Sequence, residues 1–153
     1  MTKALENVLA CIACSLCALC VLFMSEGHFS KCLALTGQET VDEMLAEISA
    51  NKKIATLSYD MCVSSLYKSG YEGECKITVF TYEQAVDGTM HQYMISWDEI
   101  REELERNKEY VCPENSYVKV SVRARKSDGL SIRSLMRVHE DFTKCTYVSG
   151  GFS

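Results

Sequence analysis

The chain has 153 residues, a net charge of −5, 47% apolar and 24% charged residues, one Pro and eight Gly. That length suits one domain, and the composition excludes a disordered or collagen-like chain. The acidic balance, near −4 once residues 1–27 are set aside, lacks the electrostatic footprint of a nucleic-acid binder.

Residues Val8 to Met24 carry no charge and one hydroxyl, Ser15. The run is long for the apolar region of a signal peptide and at the lower limit for a membrane helix. Ser25-Glu26-Gly27 offers small residues where a leader would be cut, before His28. Residues 1–27 are therefore expected to be a signal peptide or a signal anchor, and both stay open. Cys11, Cys14, Cys17 and Cys20 recur here at steps of three. Each step turns a helix by about 300°, so the four thiols spiral and cannot surround one ion. They read as small apolar residues.

In the segment 28–52, Thr40 followed three residues later by Glu43 resembles a capping box, and Val41, Met44, Leu45 and Ile48 follow at helical spacing. A helix is expected over 41–50. From Ile54 the period changes to two, with Ala55, Leu57, Tyr59, Met61 and Val63 alternating with polar residues and Cys62. This predicts a half-buried strand. A turn at 68–73 leads to strands at 75–82 and 91–97, joined by an Asp87-Gly88 turn. Ser96 and Glu99 form a second capping box before a polar helix whose apolar pair is Ile100 and Leu104. Residues 117–125 alternate cleanly and pair, in this expectation, with 132–139 across a Ser127-Asp128-Gly129 turn. A last short strand lies near 143–148. Residues 53–153 thus form one disulfide-containing β domain.

Five cysteines follow residue 27: Cys32, Cys62, Cys75, Cys112 and Cys145. In an oxidising compartment such cysteines pair. Flanking of neighbouring strands suggests Cys62–Cys75 and Cys112–Cys145, leaving Cys32 as a free thiol or the link of a disulfide-bonded dimer. No zinc-ligand spacing occurs among them, and His28, His91 and His139 stand alone. No metal site and no cofactor are expected.

Val111, Pro113, Asn115 and Tyr117 occupy the places of the Leu-x-Pro-x-Thr-x-Tyr pattern that precedes the sixth strand of fibronectin type III domains. Val118, Val120, Val122, Ala124, Gly129, Ser131 and Ser134 continue it, and Tyr93 to Trp97 resembles the third strand. The stretch 91–134 thus resembles a fibronectin type III or cytokine-receptor module. Leu130 and Arg133 stand where cytokine receptors carry two Trp. The resemblance implies a mainly β antiparallel sandwich preceded by an apolar and a short amphipathic helix. It gives structural roles to Trp97 and to Tyr117, the latter as a corner tyrosine. The competing order, a helix and then four or five strands, is similar to the cystatins, an α+β fold with a helix packed on an antiparallel sheet. Their Gln-x-Val-x-Gly loop and Pro-Trp pair are missing.

No nucleophile elbow, metalloprotease helix, phosphate loop or dinucleotide fingerprint is present, so no catalytic residue is assigned. Lys119, Arg123, Arg125, Arg133 and Arg137 are expected on one side of the 117–139 hairpin, suited to an acidic protein or a sulfated glycan. The function expected is a secreted or membrane-anchored extracellular binding module that acts by protein–protein recognition. A protease-inhibitor-like α+β domain and a small secreted enzyme stand as alternatives.

Overall fold

The structure is a computed structural model that describes residues 2–71, 73–124 and 140–150. Of these residues 55% are helical and 28% extended, in three helices and two small sheets. The fold is α+β, and the mainly β sandwich is overturned. Helix α1 (Thr2–Asn51) is followed by β1 (Lys53–Ala55), α2 (Thr56–Lys68), β2 (Cys75–Gln84), β3 (Met90–Ile95), α3 (Trp97–Asn107), β4 (Glu109–Val111), β5 (Ser116–Val122) and β6 (Phe142–Val148). The main sheet has the order β3-β2-β5-β6 and is antiparallel throughout. β1 and β4 form a separate two-stranded ribbon.

A sandwich needs a second sheet over the first. Here that place is taken by helices. The inner face of the main sheet presents Ile77 and Val79 from β2, Val118, Val120 and Val122 from β5, and Val148 from β6, all buried. They pack with Val41, Met44, Leu45 and Ile48 of α1, Cys62 and Leu66 of α2, and Ile100 and Leu104 of α3 in a single cluster. Ile48 and Val41 recur at the spacing of two helical turns, so one stripe of α1 supplies the middle of the core.

The expected helix over 41–50 is the end of a much longer one. Thr40 is not its cap: its Oγ1 hydrogen-bonds to the Thr36 carbonyl at 3.0 Å from within the helix. The expected strand over 54–63 is β1 followed at once by α2. The same stretch carries Tyr59, Cys62, Val63 and Leu66 at the i, i+3, i+4, i+7 spacing of a helix, and Cys62 and Leu66 are the residues buried. Leu57 and Met61, two of the alternating residues, are 70% and 66% exposed. The capping box of α3 is formed as expected, with Ser96 accepting from the Glu99 amide and Glu99 bonded back to Ser96. Lys108 closes the helix at a φ of 64°.

The expected hairpin between 117–125 and 132–139 is not the pairing of β5. Its neighbours are β2, with Val120 opposite Ile77, and β6, with Val120 opposite Lys144. The stretch 132–139 lies outside the described residues.

All nine cysteines are free thiols. The expected Cys112–Cys145 bridge fails on geometry. Cys112 is buried in the core cluster, whereas Cys145 is exposed and opposite Lys119, on the other side of the sheet. Cys62 and Cys75 both lie in the core, on α2 and β2. Tyr59, one turn before Cys62, donates its hydroxyl to the Cys75 carbonyl at 2.9 Å.

Candidate functional site

The helices cover one face of the main sheet, and strand alternation places every second side chain on the other. On that outer face stand Lys76, Thr78, Phe80, Tyr82 and Gln84 of β2, and Met90, Gln92 and Met94 of β3. Tyr117, Lys119 and Ser121 of β5 and Thr143, Cys145 and Tyr147 of β6 complete it. Among the described elements none packs over it. Two lysines and no carboxylate occur at these positions, on a chain whose net charge is −5. Lys76 meets Glu74 at 3.0 Å, and Lys119 has no ion pair among the described residues.

The register aligns one row across all four strands: Met94 opposite Phe80, Phe80 opposite Tyr117, and Tyr117 opposite Tyr147. At the usual strand spacing the row spans about 14 Å. Tyr117 and Tyr147 have ring centroids 4.9 Å apart, and Tyr82 meets Tyr117 edge-on at 6.1 Å. Such contacts fix the rings relative to one another, yet Tyr82, Tyr117 and Tyr147 remain 43%, 45% and 43% exposed. Tyr147 is anchored further by its hydroxyl, 2.8 Å from Asn115 Oδ1.

Beyond this row, β2 and β3 continue without β5. Among the described residues Thr81 to Gln84 pair only with Met90 to Tyr93, and Gly88 closes the turn at a φ of 84°. This two-stranded arm exposes Val86, Met90 and Tyr93. An isolated two-stranded hairpin is marginal in water, so the arm gains most from contact with something else.

The position of the row relative to α1 follows from packing. α1 reaches the domain near Gly37, where a Cβ would stand 2.7 Å from the Tyr71 ring. Tyr71 packs edge-on against Phe142 at 5.3 Å, and Phe142 faces Val122 and hence Cys75. One pole therefore holds the entry of α1, the start of β2, the end of β5 and the start of β6. The arm and the aromatic row lie toward the other pole, where Ser49 near the end of α1 donates to the Tyr147 carbonyl at 3.0 Å.

From Lys3 to Leu22 no side chain of α1 is buried, and the helix is long and apolar enough to cross a membrane. It continues unbroken through Ser25 to His28. Cys32 is exposed on the helix between the apolar run and the domain.

The cations expected on one face are placed as follows. Lys119 is half-buried on the outer face. Arg123 lies just past β5, exposed, with its amide donating to the Glu74 carbonyl at 2.8 Å. Arg125, Arg133 and Arg137 lie outside the described residues. Trp97 opens α3 and stacks on Tyr59 with centroids 4.7 Å apart, inside the helical layer. Tyr117 stands in the middle of the outer row and not at a corner. The row itself escaped the sequence analysis. Phe80 and Tyr82 share β2, but Tyr117 and Tyr147 stand on separate strands, and only the register joins them.

The buried titratable groups are poor candidates for chemistry. Burial pushes the Cys62 thiol up to about 11, and burial with the nearby Cys62 pushes Cys75 up to about 12. Cys112 rises to about 11 for the same first reason. Thiols held protonated are weak nucleophiles and weak metal ligands. His91, exposed on the arm within 3.3 Å of Thr89 Oγ1, is not beside them. Among the described residues no cluster of three His, Cys, Asp or Glu side chains could hold a metal ion.

Comparison with protein-family models, curated proteins and solved structures finds no match.

Proposed function

We propose that this protein is a membrane-anchored recognition module that works by protein–protein contact and without catalysis. Helix α1 holds it in the bilayer, and the domain lies outside the cytosol. The outer face of its sheet is the surface that meets the partner. The observation that carries this is the polarity of the molecule: the exposed apolar helix enters at one pole, and the uncovered aromatic row and arm lie toward the other. The helix runs without a break from the apolar segment into the core, and this continuity supports the anchored reading.

The composition of the face suits recognition. Tyr, Met and Phe bury large areas at low entropic cost and are enriched where proteins bind one another. The absence of carboxylates among its described strand positions leaves Lys119, which has no ion pair among the described residues, available to a neutral or acidic protein surface. A sulfated glycan is the second candidate on the same charge argument, and the aromatic row favours protein.

The test is site-specific photo-crosslinking in the expressing cell, with the cross-linker at Tyr82 and Tyr147 and, as a control, at Leu57 on the outward side of α2. One defined protein adduct from the first two positions, identified by mass spectrometry, lost on Tyr117→Ser and absent from the control, is the expected result. Equal labelling from all three sites would overturn the assignment of the face.

A further inference from the structure

The two edges of the main sheet are treated differently. At β6, α1 lies along the edge: Ser49 donates to the Tyr147 carbonyl at 3.0 Å, and Asp42 pairs with Lys144 at 2.8 Å. At β3 the ladder stops. Among the described residues Met90–Ile95 pairs with β2 on one side only. Its sequence, MHQYMI, contains no Lys, Arg, Asp, Glu or Pro, and Met90 through Met94 are all exposed. Edge strands are ordinarily blunted by charge, Pro, a bulge or a covering element, because a bare row of N–H and C=O groups is a template for another strand. One edge here is covered and the other lacks these charges and Pro.

The surroundings of β3 give the partner its chemistry. On the outer side Met90, Gln92 and Met94 adjoin Gln84, Tyr82 and Phe80. On the inner side α3 is joined to β3 through Ser96 alone and packs over β2 through Ile100 and Leu104. This helix holds five carboxylates and two guanidinium groups. Asp98 and Glu105 side chains are 81% and 74% exposed, with long contacts of 3.8 Å to Arg101.

We propose that the β3 edge accepts an extended segment of another protein as a fifth strand, with apolar side chains on its outer side and Lys or Arg facing α3. Backbone hydrogen bonds supply the affinity of such strand addition and alternate side chains its specificity. The inference rests on the recognition reading above and names the partner's chemistry. A second copy in antiparallel pairing fits poorly. The two-fold axis would stand normal to the sheet and reverse α1, so that the two apolar helices point away from each other and cannot share one membrane.

The experiment uses the full chain in detergent micelles and two short synthetic peptides, one alternating Val with Lys and one alternating Val with Glu. Trp97, the single Trp of the chain, sits two residues beyond β3 and reports binding by fluorescence. The Val–Lys peptide should bind saturably and about tenfold or more tighter than Val–Glu, with the preference shrinking as salt rises. Met90→Lys with Gln92→Lys should remove binding while the circular dichroism spectrum is unchanged, and Asp98→Lys with Glu105→Lys should remove the preference alone. Equal binding of the two peptides, or binding indifferent to the β3 pair, overturns the proposal. So does a concentration-dependent dimer abolished by that pair, which assigns the edge to a second copy. A negative peptide result with the Tyr82 and Tyr147 adducts intact rejects the edge alone, whereas loss of those adducts' specificity strikes the recognition reading.

Discussion

The two halves of α1 share one backbone and obey different rules. From Ala34 to Asn51 the helix is amphipathic: Val41, Met44, Leu45 and Ile48 are buried, and Asp42, Glu43 and Glu47 face water. From Val8 to Met24 it is apolar on every side, and Leu9, Leu16 and Leu22 are all more than half exposed. A helix apolar all round needs an apolar surrounding, and among the described residues none is provided. The first half is long and apolar enough to cross a membrane, and the second packs on the sheet. The junction between them, Ser25 to Leu33, separates the apolar half from the packed half by about 14 Å of helix.

The contrast can be broken most forcefully from the packed half. Ile48→Ala should lower the unfolding free energy of the domain by about 2–5 kcal/mol, since Ile48 is 1% exposed at the centre of the core. Leu16→Ala should leave the denaturant midpoint of the domain unchanged, and a matched loss at both sites would refute the division. Leu16→Arg acts on the other half, costing about 3 kcal/mol of insertion at the helix centre. It should shift the chain from the membrane fraction to an uninserted pool without altering the folded domain.

A pH titration sharpens the picture of the packed half. Cys62 and Cys112 stand at about 11 and Cys75 at about 12, against an ordinary thiol value of 9.0. The folded chain keeps protons that the unfolded chain has already released, so alkali favours unfolding. Stability from these groups is fully present below pH 9 and is lost as pH rises from there toward 11 and 12. Urea midpoints should therefore fall between pH 8.5 and 10.5, and a flat profile would contradict the buried placement. Among smaller effects, Ser96→Ala removes a capping box and should cost about 1 kcal/mol. Met61→Gln, on the exposed side of α2, should change stability by less than about 0.5 kcal/mol.

Much of this organisation was legible in the residues. The β2–β3 hairpin with its Asp87-Gly88 turn, the Ser96 capping box, β5 and β6 follow from local patterns whose physics is short-range. The stretch 56–63 was misjudged because alternation and helical spacing coexist there, and only the core decides between them. Tyr59, Cys62 and Leu66 find partners on β2 and α1, whereas Leu57 and Met61 find none. The sandwich failed for a related reason: clean alternation in 117–124 says that one face is buried, but not whether helices or a second sheet bury it. The outer row was illegible because Phe80, Tyr117 and Tyr147 are brought together by strand register, a long-range property. The β1–β4 ribbon, three residues a side, is too short to leave a pattern.

The central claim is that one uninterrupted helix both anchors the chain and enters the core of its domain. Its most direct test is the intact mass of the protein recovered from an expressing cell after the membranes are washed with alkaline carbonate. The account predicts a full-length chain retained in the washed membranes. A product beginning at His28 and free in the medium would contradict it.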